Sequence, residues 1–192
     1  MALLDILVAP HPILKAKASN VVTVDDDIRA FMDSMLETMY AAPGIGLAAN
    51  QVGDLRRLVV VDCSDKEKPE PMYLINPQIE WVSDDDAVYE EGCLSVPELF
   101  AEVVRPASIQ VSYLDRDGNK QLLETDGLLA TCIQHEIDHL DGIMFMDHIS
   151  ALKRNMIMRK LKKWTKENGT IAILENTDPK NPVLNRHSLP ST

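Results

Sequence analysis

Two histidines and a glutamate have the residue types and the spacing for metal chemistry: His135, Glu136 and His139 form the pattern His-Glu-x-x-His. Residues four apart on a helix lie on one face with Cβ atoms about 5–6 Å apart, so both imidazoles can bind one metal ion. Glu136 directly follows the first histidine, where its carboxylate can reach a water on that ion. The spacing therefore predicts a metal site with a general base beside it.

A catalytic metal site usually has three protein ligands and one open position, so a third ligand is needed, either an acid or a cysteine. The chain has three cysteines, and an odd number argues against a disulfide framework. Cys132 would lie about 10 Å along the helix axis from His139, too far to share a tetrahedral ion with both histidines. Cys63 follows an apolar run and resembles a core residue. Cys93, next to Gly92, is by elimination the best cysteine ligand.

The hydrophobic pattern predicts the elements that position these residues. Apolar residues three or four apart predict an amphipathic helix that begins near Thr23 or Asp25 and ends before Pro43. A second helix, roughly 127–140, carries the two histidines, and a third runs from about 150 to 167. Strand-like runs lie at residues 6–8, 58–61, 72–75, 79–82, 108–114 and 121–123. Because the links between strands are too short for repeated crossover helices, the sequence predicts an α+β fold.

Composition and charge indicate a soluble chain with one compact domain. The chain has 192 residues, of which 45% are hydrophobic and 26% charged, and its net charge is −11. No apolar run approaches the roughly 18 residues that cross a bilayer, and the N-terminus lacks the basic segment of a signal peptide. We therefore expect a cytoplasmic protein with no membrane partner. The acidic balance argues against a general nucleic-acid-binding function.

Three segments, taken in order, resemble the peptide deformylase family. They are the loop Gly44-Ile45-Gly46-Leu47-Ala48-Ala49-Asn50-Gln51, the run Glu91-Gly92-Cys93-Leu94-Ser95, and the helical motif Gln134-His135-Glu136-Ile137-Asp138-His139. The loop on its own predicts only a helix-to-strand turn. The conjunction of all three is far more specific, and the resemblance covers roughly residues 3–168.

The resemblance implies a fold and a domain organisation. The fold is α+β, with antiparallel β-sheets around a central helix that carries His-Glu-x-x-His, plus a C-terminal helix. One metal-dependent catalytic domain is expected over residues 1–168, including the C-terminal helix at 150–168. Residues 169–192 are expected to form a flexible tail.

The resemblance also implies an activity: metal-dependent hydrolysis of the N-formyl group from the N-terminal formyl-methionine of newly made polypeptides, with release of formate. Cys93, His135 and His139 would hold one divalent ion, with a water as fourth ligand. This donor set suits Fe(II), Zn, Co or Ni, so the residue types leave the metal open. In the family the ion is usually Fe(II), and Ni, Co or Zn replaces it in preparations. Glu136 would act as general base and then as general acid.

Further residues are assigned to the oxyanion and the peptide by the same resemblance. The Gln51 side chain and the backbone N–H of Leu94 would stabilise the oxyanion. Ile45 and Gly46 would offer backbone hydrogen bonds to an extended peptide. The other residues implied in substrate binding, around an apolar methionine pocket that also includes the His135 ring, are Tyr89, Gly92, Leu128 and Cys132.

The chain departs from the family pattern at a few positions. Tyr89 and Thr131 stand where the family often has aliphatic residues, and Phe100 stands where an arginine is frequent. These positions bear on the pocket and on the peptide tail rather than on the chemistry. By the same resemblance, we expect Glu91 and Arg105 to pair and to stabilise the segment around Cys93, called here the ligand loop.

The end of the chain is basic, unlike its acidic body. Residues 150–192 contain 9 Lys and Arg against 3 Asp and Glu. Such a run can simply be a solvated helix face. Similar deformylases dock a C-terminal helix on the ribosome, so the resemblance implies a weak, salt-sensitive ribosome contact through residues 150–168. Seven basic residues of this helix could take part: Lys153, Arg154, Arg159, Lys160, Lys162, Lys163 and Lys166.

Three other interpretations stay open at this point. A zinc metalloprotease shares the helix and the base but usually takes a third histidine or a glutamate as ligand, so loss of the Cys93 side chain would not release its metal. A structural zinc site in a binding module has four closed protein ligands and no open position. A deformylase-like protein with little activity is the third alternative, although all the motif residues that can be matched are present.

Overall fold

The computed structural model describes residues 3–65 and 67–172. Within that part of the chain, no helix combines the length and the hydropathy that a bilayer crossing needs. The described residues form three α-helices: α1 (Asp26–Ala41), α2 (Gly127–Leu140) and α3 (Ala151–Asn168). The strands are β1 (Ile6–Leu7), β2 (Gly46–Ala48), β3 (Leu58–Val61), β4 (Met72–Val82), β5 (Asp86–Cys93), β6 (Val96–Pro106), β7 (Ser108–Leu114), β8 (Lys120–Asp126) and β9 (Ile171–Ala172).

The strands form one larger sheet and two strand pairs. The larger sheet has the order β2-β3-β4-β7-β8, while β5 pairs with β6 and β1 pairs with β9. All of these pairings are antiparallel. The predicted α+β class, with antiparallel sheets around the helix that bears the histidines, is therefore confirmed.

The part of the larger sheet around β3 is buried on both faces because a helix packs on each. Helix α1 covers one face with a row of buried residues that includes Met32, Met35 and Met39. Helix α2 covers the other face through residues such as Ile133 and Ile137. All four residues of β3 are consequently buried, which explains why its sequence is a continuous apolar run instead of an alternating one.

Helix α1 begins where the sequence predicts. The Asp25 side chain accepts a hydrogen bond of 2.9 Å from the backbone N–H of Ile28, which satisfies one of the free donors at the helix start. Asp26 and Asp27 lie in the first turn, where negative charge is favourable next to the helix dipole.

Helix α2 is enclosed on nearly all sides. Residues 130–137 are buried without interruption, because the sheet lies on one side and the β5–β6 pair on the other. The buried set includes His135, Glu136 and His139, which are polar or ionisable. Since such groups are seldom buried without a partner, their position points to a functional centre on this helix.

Helix α3 lies at the surface and is held by few contacts. The Ser150 hydroxyl accepts a hydrogen bond of 3.4 Å from the backbone N–H of Lys153 at the helix start. Only Ile157 and Leu161 of this helix are buried, and they pack with Phe145. Strand β9 follows α3 and pairs with β1, so the first residues past 168 join the fold. The rest of the predicted tail, 173–192, lies outside the described residues.

The sequence patterns did not predict β5 and β6, which form the long hairpin beside α2. On this pair the side chains alternate in exposure, but several of the exposed positions are apolar, such as Val88 and Val104. Exposed valines at these positions remove the apolar-in, polar-out alternation by which a half-buried strand is identified. The hairpin could therefore be identified only from the structure.

The methionine row of α1 gives a test of the core. We expect Met35→Ala to lower the free energy of unfolding by about 2–5 kcal/mol, because a fully buried side chain is replaced by a cavity. The same substitution at Met156, which is 53% exposed on α3, should change it by less than about 0.5 kcal/mol. Urea unfolding of both variants measures the difference, and equal losses would contradict this packing.

Candidate metal centre and active site

A cavity of about 370 Å³ lies between the loop before β2, the β5–β6 hairpin and helix α2. The wall from the loop includes Gly44, Ile45 and Gly46. The hairpin contributes residues 89–94 and parts of β6, and α2 contributes one face of its first two and a half turns. The three segments that carry the family resemblance therefore meet at one cavity, although 38 or more residues lie between successive segments in the sequence.

Three candidate metal ligands converge at the inner end of this cavity. Cys93 comes from the end of β5, and His135 and His139 come from α2. Their ligand atoms all lie within 4.8 Å of one another, and the Cys93 Sγ is 3.2 Å from the His139 Nε2. One thiolate and two imidazole nitrogens at these separations fit a single divalent ion. Cys93 and His135 also line the cavity, so a fourth position can be reached from it.

Cys93 is thus the cysteine that the structure brings to the histidines. Among the described residues, this group of three is the one cluster of possible ligands with metal-binding spacing. Cys63 and Cys132 lie outside it, as the sequence argument expected from helix geometry for Cys132.

The orientation of His135 is set by a buried carboxylate. The Glu91 Oε2 lies 2.8 Å from the His135 Nδ1, which leaves the Nε2 lone pair free to bind a metal. Arg105 pairs with Glu91, with 2.5 Å between Nε and Oε1 and 3.0 Å between Nη2 and Oε2, so the predicted pair of Glu91 and Arg105 is confirmed. Arg105 also reaches the Asp138 Oδ2 at 2.7 Å. The ligand loop and the ligand helix are thereby joined through charged groups.

The charges of this network are reflected in the pKa values of its members. Burial opposes ionisation of Glu91, but hydrogen bonds from His135 and Arg105 prevail and lower its pKa to about 2. Burial likewise opposes a charge on His135, yet Cys93 and Glu91 raise the pKa of this histidine well above its ordinary value. Both directions show that the groups around the His135 imidazole favour positive charge, as a cation site requires.

Glu136 lies beside the three ligands with its carboxylate buried. Burial raises the pKa of Glu136 to about 7. Its Oε2 has no hydrogen-bond partner among the described residues, and the residue lines the cavity. A Cβ atom on Gly46 would collide with the Glu136 carboxylate and with the Cys132 sulfur, so a larger residue there would force these side chains to move. The loop therefore approaches the carboxylate as closely as a backbone can.

Gln51 is held with its amide nitrogen directed at the ligand loop. Its Oε1 accepts a hydrogen bond of 2.8 Å from the backbone N–H of Ala48, which fixes the orientation of the side chain. Its Nε2 lies 3.5 Å from the Cys93 Sγ and 3.2 Å from the Ser95 Oγ. Leu94, the other predicted oxyanion donor, follows Cys93 directly and also lines the cavity.

The predicted substrate-binding residues are distributed around the same cavity. Leu128 and Ile45 are 46% and 42% exposed and lie at the mouth, whereas Cys132 is buried in the wall. The apolar lining suits a methionine side chain. All six predicted residues of this group line the cavity: Ile45, Gly46, Tyr89, Gly92, Leu128 and Cys132.

The structure adds two contacts that the sequence reasoning did not predict. The ring of Phe100 lies against Gly92, where a Cβ atom would clash with it, and forms part of the cavity wall. Asn50 is fully buried, and its side-chain amide donates to the backbone carbonyl of His139. Both contacts join segments that are distant in the sequence, so no local pattern could have shown them.

Comparison with known proteins agrees with this centre. A family model described as "Polypeptide deformylase" matches residues 3–155. The peptide deformylase of Phenylobacterium zucineum is 54% identical over 167 residues, which are 86% of this chain and 99% of that protein. That of Rhizobium meliloti is 51% identical over 174 residues, which are 90% of this chain and all of that protein.

Solved structures give the same result at the level of the fold. The crystal structure of peptide deformylase from Ehrlichia chaffeensis has a TM-score of 0.82 and 39% identity, and covers 86% of this chain and 98% of that one. The same enzyme in complex with actinonin has a TM-score of 0.81 and 41% identity, with 85% and 98% covered. The chain therefore belongs to the peptide deformylase family, whose members are metal-dependent hydrolases.

Proposed function

We propose that this chain removes the formyl group from the N-terminal formyl-methionine of newly made polypeptides and releases formate. The observation that carries the proposal is the meeting of Cys93, His135 and His139 beside the Glu136 carboxylate, at one wall of an apolar cavity. A ligand set and a base in contact with the same cavity are what a metal-assisted amide hydrolysis needs.

One divalent ion per chain would be held by Cys93, His135 and His139. We propose Fe(II) as the ion in the cell, with Zn, Ni or Co able to take its place in purified protein, because a mixed sulfur and nitrogen donor set accepts all of them. The ion would supply Lewis acidity, which polarises a carbonyl oxygen and makes water a stronger acid. Glu91 supports the site by holding His135 in the tautomer with a free Nε2.

Glu136 would move the protons of the reaction. Its carboxylate accepts a proton from the attacking water and then gives a proton to the leaving amine, so that a neutral N-terminus departs. Burial raises the pKa of Glu136 to about 7 in the absence of an ion, and a nearby divalent cation would shift it downward. A base of this kind is ionised at neutral pH and still able to return its proton.

Negative charge that develops on the formyl oxygen would be met by two donors. The Gln51 amide is aimed toward Cys93 by its hydrogen bond from Ala48, and the backbone N–H of Leu94 follows the same cysteine. Donors fixed in advance in a buried site stabilise such charge without reorganisation.

The peptide would lie in an extended pose along the lip of the cavity. Ile45 and Gly46 would give it backbone hydrogen bonds, in the manner of an added strand. The methionine side chain would enter the apolar wall formed with Tyr89, Leu128 and Cys132. Because Gly92 has no side chain, the Phe100 ring can pack directly against its backbone.

The proposal extends to organisation and partners. Residues 1–168 would form the catalytic domain, working in the cytoplasm on nascent chains. Helix α3 would contact the ribosome, because all seven of its basic residues are exposed while apolar side chains attach the helix to the core. An exposed basic face suits the phosphates of ribosomal RNA.

The role of Glu136 can be tested by Glu136→Gln. We expect metal content to be unchanged and kcat to fall by about 10²–10⁴-fold, because the amide cannot accept the proton. Formate release from a formyl-methionyl tripeptide, with anaerobically purified protein, measures this loss. Glu102→Gln, at an exposed position on β6, is the matched control and should keep full activity. Near-normal turnover of the metal-loaded Glu136→Gln variant would remove this residue from the mechanism.

The ligand role of Cys93 can be tested by Cys93→Ala. Loss of a residue that only supports a metal ligand lowers metal affinity by about 10–100-fold. Because Cys93→Ala removes a direct ligand, we expect a larger fall. Metal analysis after dialysis measures the effect, and Cys63→Ala should retain one ion per chain. Full metal retention in Cys93→Ala would instead favour the metalloprotease interpretation.

The ribosome contact can be tested without shortening the chain, since removal of α3 would also remove Ile157 and Leu161 from the core. We expect the combined change of Lys153, Lys160 and Lys163 to Gln to weaken binding to purified ribosomes. The slope of log K against log salt should become less steep by about 0.7–0.9 per lost phosphate contact.

The matched control changes three exposed lysines of the body, Lys17, Lys68 and Lys120, to Gln. It has the same change in net charge and should bind ribosomes as the natural chain does. Equal weakening by both variants would mean that net charge, and not the α3 surface, governs the contact.

A further inference from the structure

His148 lies close to the metal centre, although the sequence motifs assign it no function. It directly follows the short 3₁₀ helix Phe145–Asp147, which comes after the end of α2. Its Nε2 lies 2.7 Å from the Oδ2 of Asp138, which stands on α2 directly before the candidate ligand His139. Because an ionised carboxylate can only accept, the histidine is the donor of this hydrogen bond. The His148 side chain is 34% exposed, so the bond joins the protein surface to the ligand helix.

This hydrogen bond is the outer end of a continuous series of polar contacts. The Asp138 Oδ2 that accepts from His148 also lies 2.7 Å from the Arg105 Nη1. Arg105 in turn binds Glu91, and the Glu91 Oε2 lies 2.8 Å from the His135 Nδ1. Every step from the surface to the candidate ligand is therefore a direct contact of 3.0 Å or less.

The segment that carries His148 is held in place by contacts of its own. The Asp147 carboxylate accepts a hydrogen bond of 2.9 Å from the backbone N–H of Met144, which closes the turn. The buried ring of Phe145 stacks on the His135 ring, with 6.1 Å between the two centroids. The turn thus contacts the metal centre twice, once through the Phe145 ring and once through the polar series that begins at His148.

We propose that His148 is a positioning residue of the metal centre. By donating to Asp138, it keeps the carboxylate of this residue from drawing Arg105 away from Glu91, and Glu91 can then hold the His135 imidazole in one orientation. His148 is not among the residues that line the described cavity, so it acts through this series and not on the peptide. The inference rests on the proposed function in one respect, since it requires that the three candidate ligands hold an ion.

The physical reason is a competition for the Arg105 guanidinium. Arg105 is shared between two carboxylates, Glu91 in its own hairpin and Asp138 on α2. The Asp138 side chain is only 19% exposed, so water can replace the donor His148 only in part. An ionised carboxylate that lacks a donor attracts the remaining cation more strongly. A shift of Arg105 toward Asp138 then weakens its hold on Glu91.

The role of His148 can be tested by His148→Leu, because leucine is of similar size and cannot donate a hydrogen bond. Loss of a group that directly supports a metal ligand lowers metal affinity by about 10–100-fold. Because His148 acts through intervening residues, we expect a smaller fall in Co(II) affinity, of about 3–10-fold. Competition with a chelator measures this fall on the full chain. The absorption bands of bound Co(II) should also shift, since they respond to the orientation of the His135 ring.

Two further variants show whether His148 acts through Asp138. His148→Gln places an amide N–H near the position of the imidazole Nε2, so it should restore the Co(II) affinity and the absorption bands of the natural chain. Asp138→Ala removes the group on which His148 acts. In that background His148→Leu should cause no further loss of Co(II) affinity, because residues that act in one network are not additive.

A merely structural role of His148 predicts a different result. The urea midpoint of the metal-free His148→Leu chain would fall while its Co(II) affinity and absorption bands stayed unchanged, and this result would overturn the proposal. Equal losses of affinity in His148→Leu and His148→Gln, or additive losses in the double variant with Asp138→Ala, would also overturn it. A natural chain that binds no Co(II) would refute the metal centre itself, so the two failures can be told apart.

Discussion

The buried ion pair of Glu91 with Arg105 is the interaction on which the metal centre depends. It lies within the β5–β6 hairpin, and each partner also reaches across to α2: Glu91 to His135 at 2.8 Å and Arg105 to Asp138 at 2.7 Å. Both residues of the pair are nearly inaccessible to solvent. Loss of one partner would leave the other charge buried and unpaired, at a cost of about 3–5 kcal/mol. The hairpin that supplies Cys93 is therefore fixed to the helix that supplies the histidines.

A second constraint is the distance between residues 44–46, which form one wall of the cavity, and helix α2. Gly46 lies so close to Glu136 that a side chain there would displace the carboxylate, and the same glycine, in β2, pairs with Val61 of β3. Strand β3 is fixed in turn by burial between α1 and α2. The sheet thus sets how far Gly46 stands from the Glu136 carboxylate, and the candidate site is an extension of the core packing.

Much of this arrangement could be predicted from the sequence, and the reasons for the rest are physical. The spacing of its apolar residues and the capping residue Asp25 identify α1, because a helix with one buried face has a regular apolar stripe. The four-residue spacing of His135 and His139 identifies the metal centre for a similar reason. The hairpin, the place of Phe100 and the hydrogen bond from Asn50 to His139 depend on tertiary contacts between distant segments, which leave no periodic signal. The ligand role of Cys93 could be predicted only by elimination or from the family resemblance, because the two histidines lie on another element.

Charge compensation explains why these groups can be buried together. Arg105 pairs with both Glu91 and Asp138, while no lysine or arginine is among the residues that line the described cavity. Without the cation, burial raises the pKa of Glu136 to about 7. A bound cation would favour the ionised Glu136 carboxylate, so metal binding and deprotonation of Glu136 would be linked.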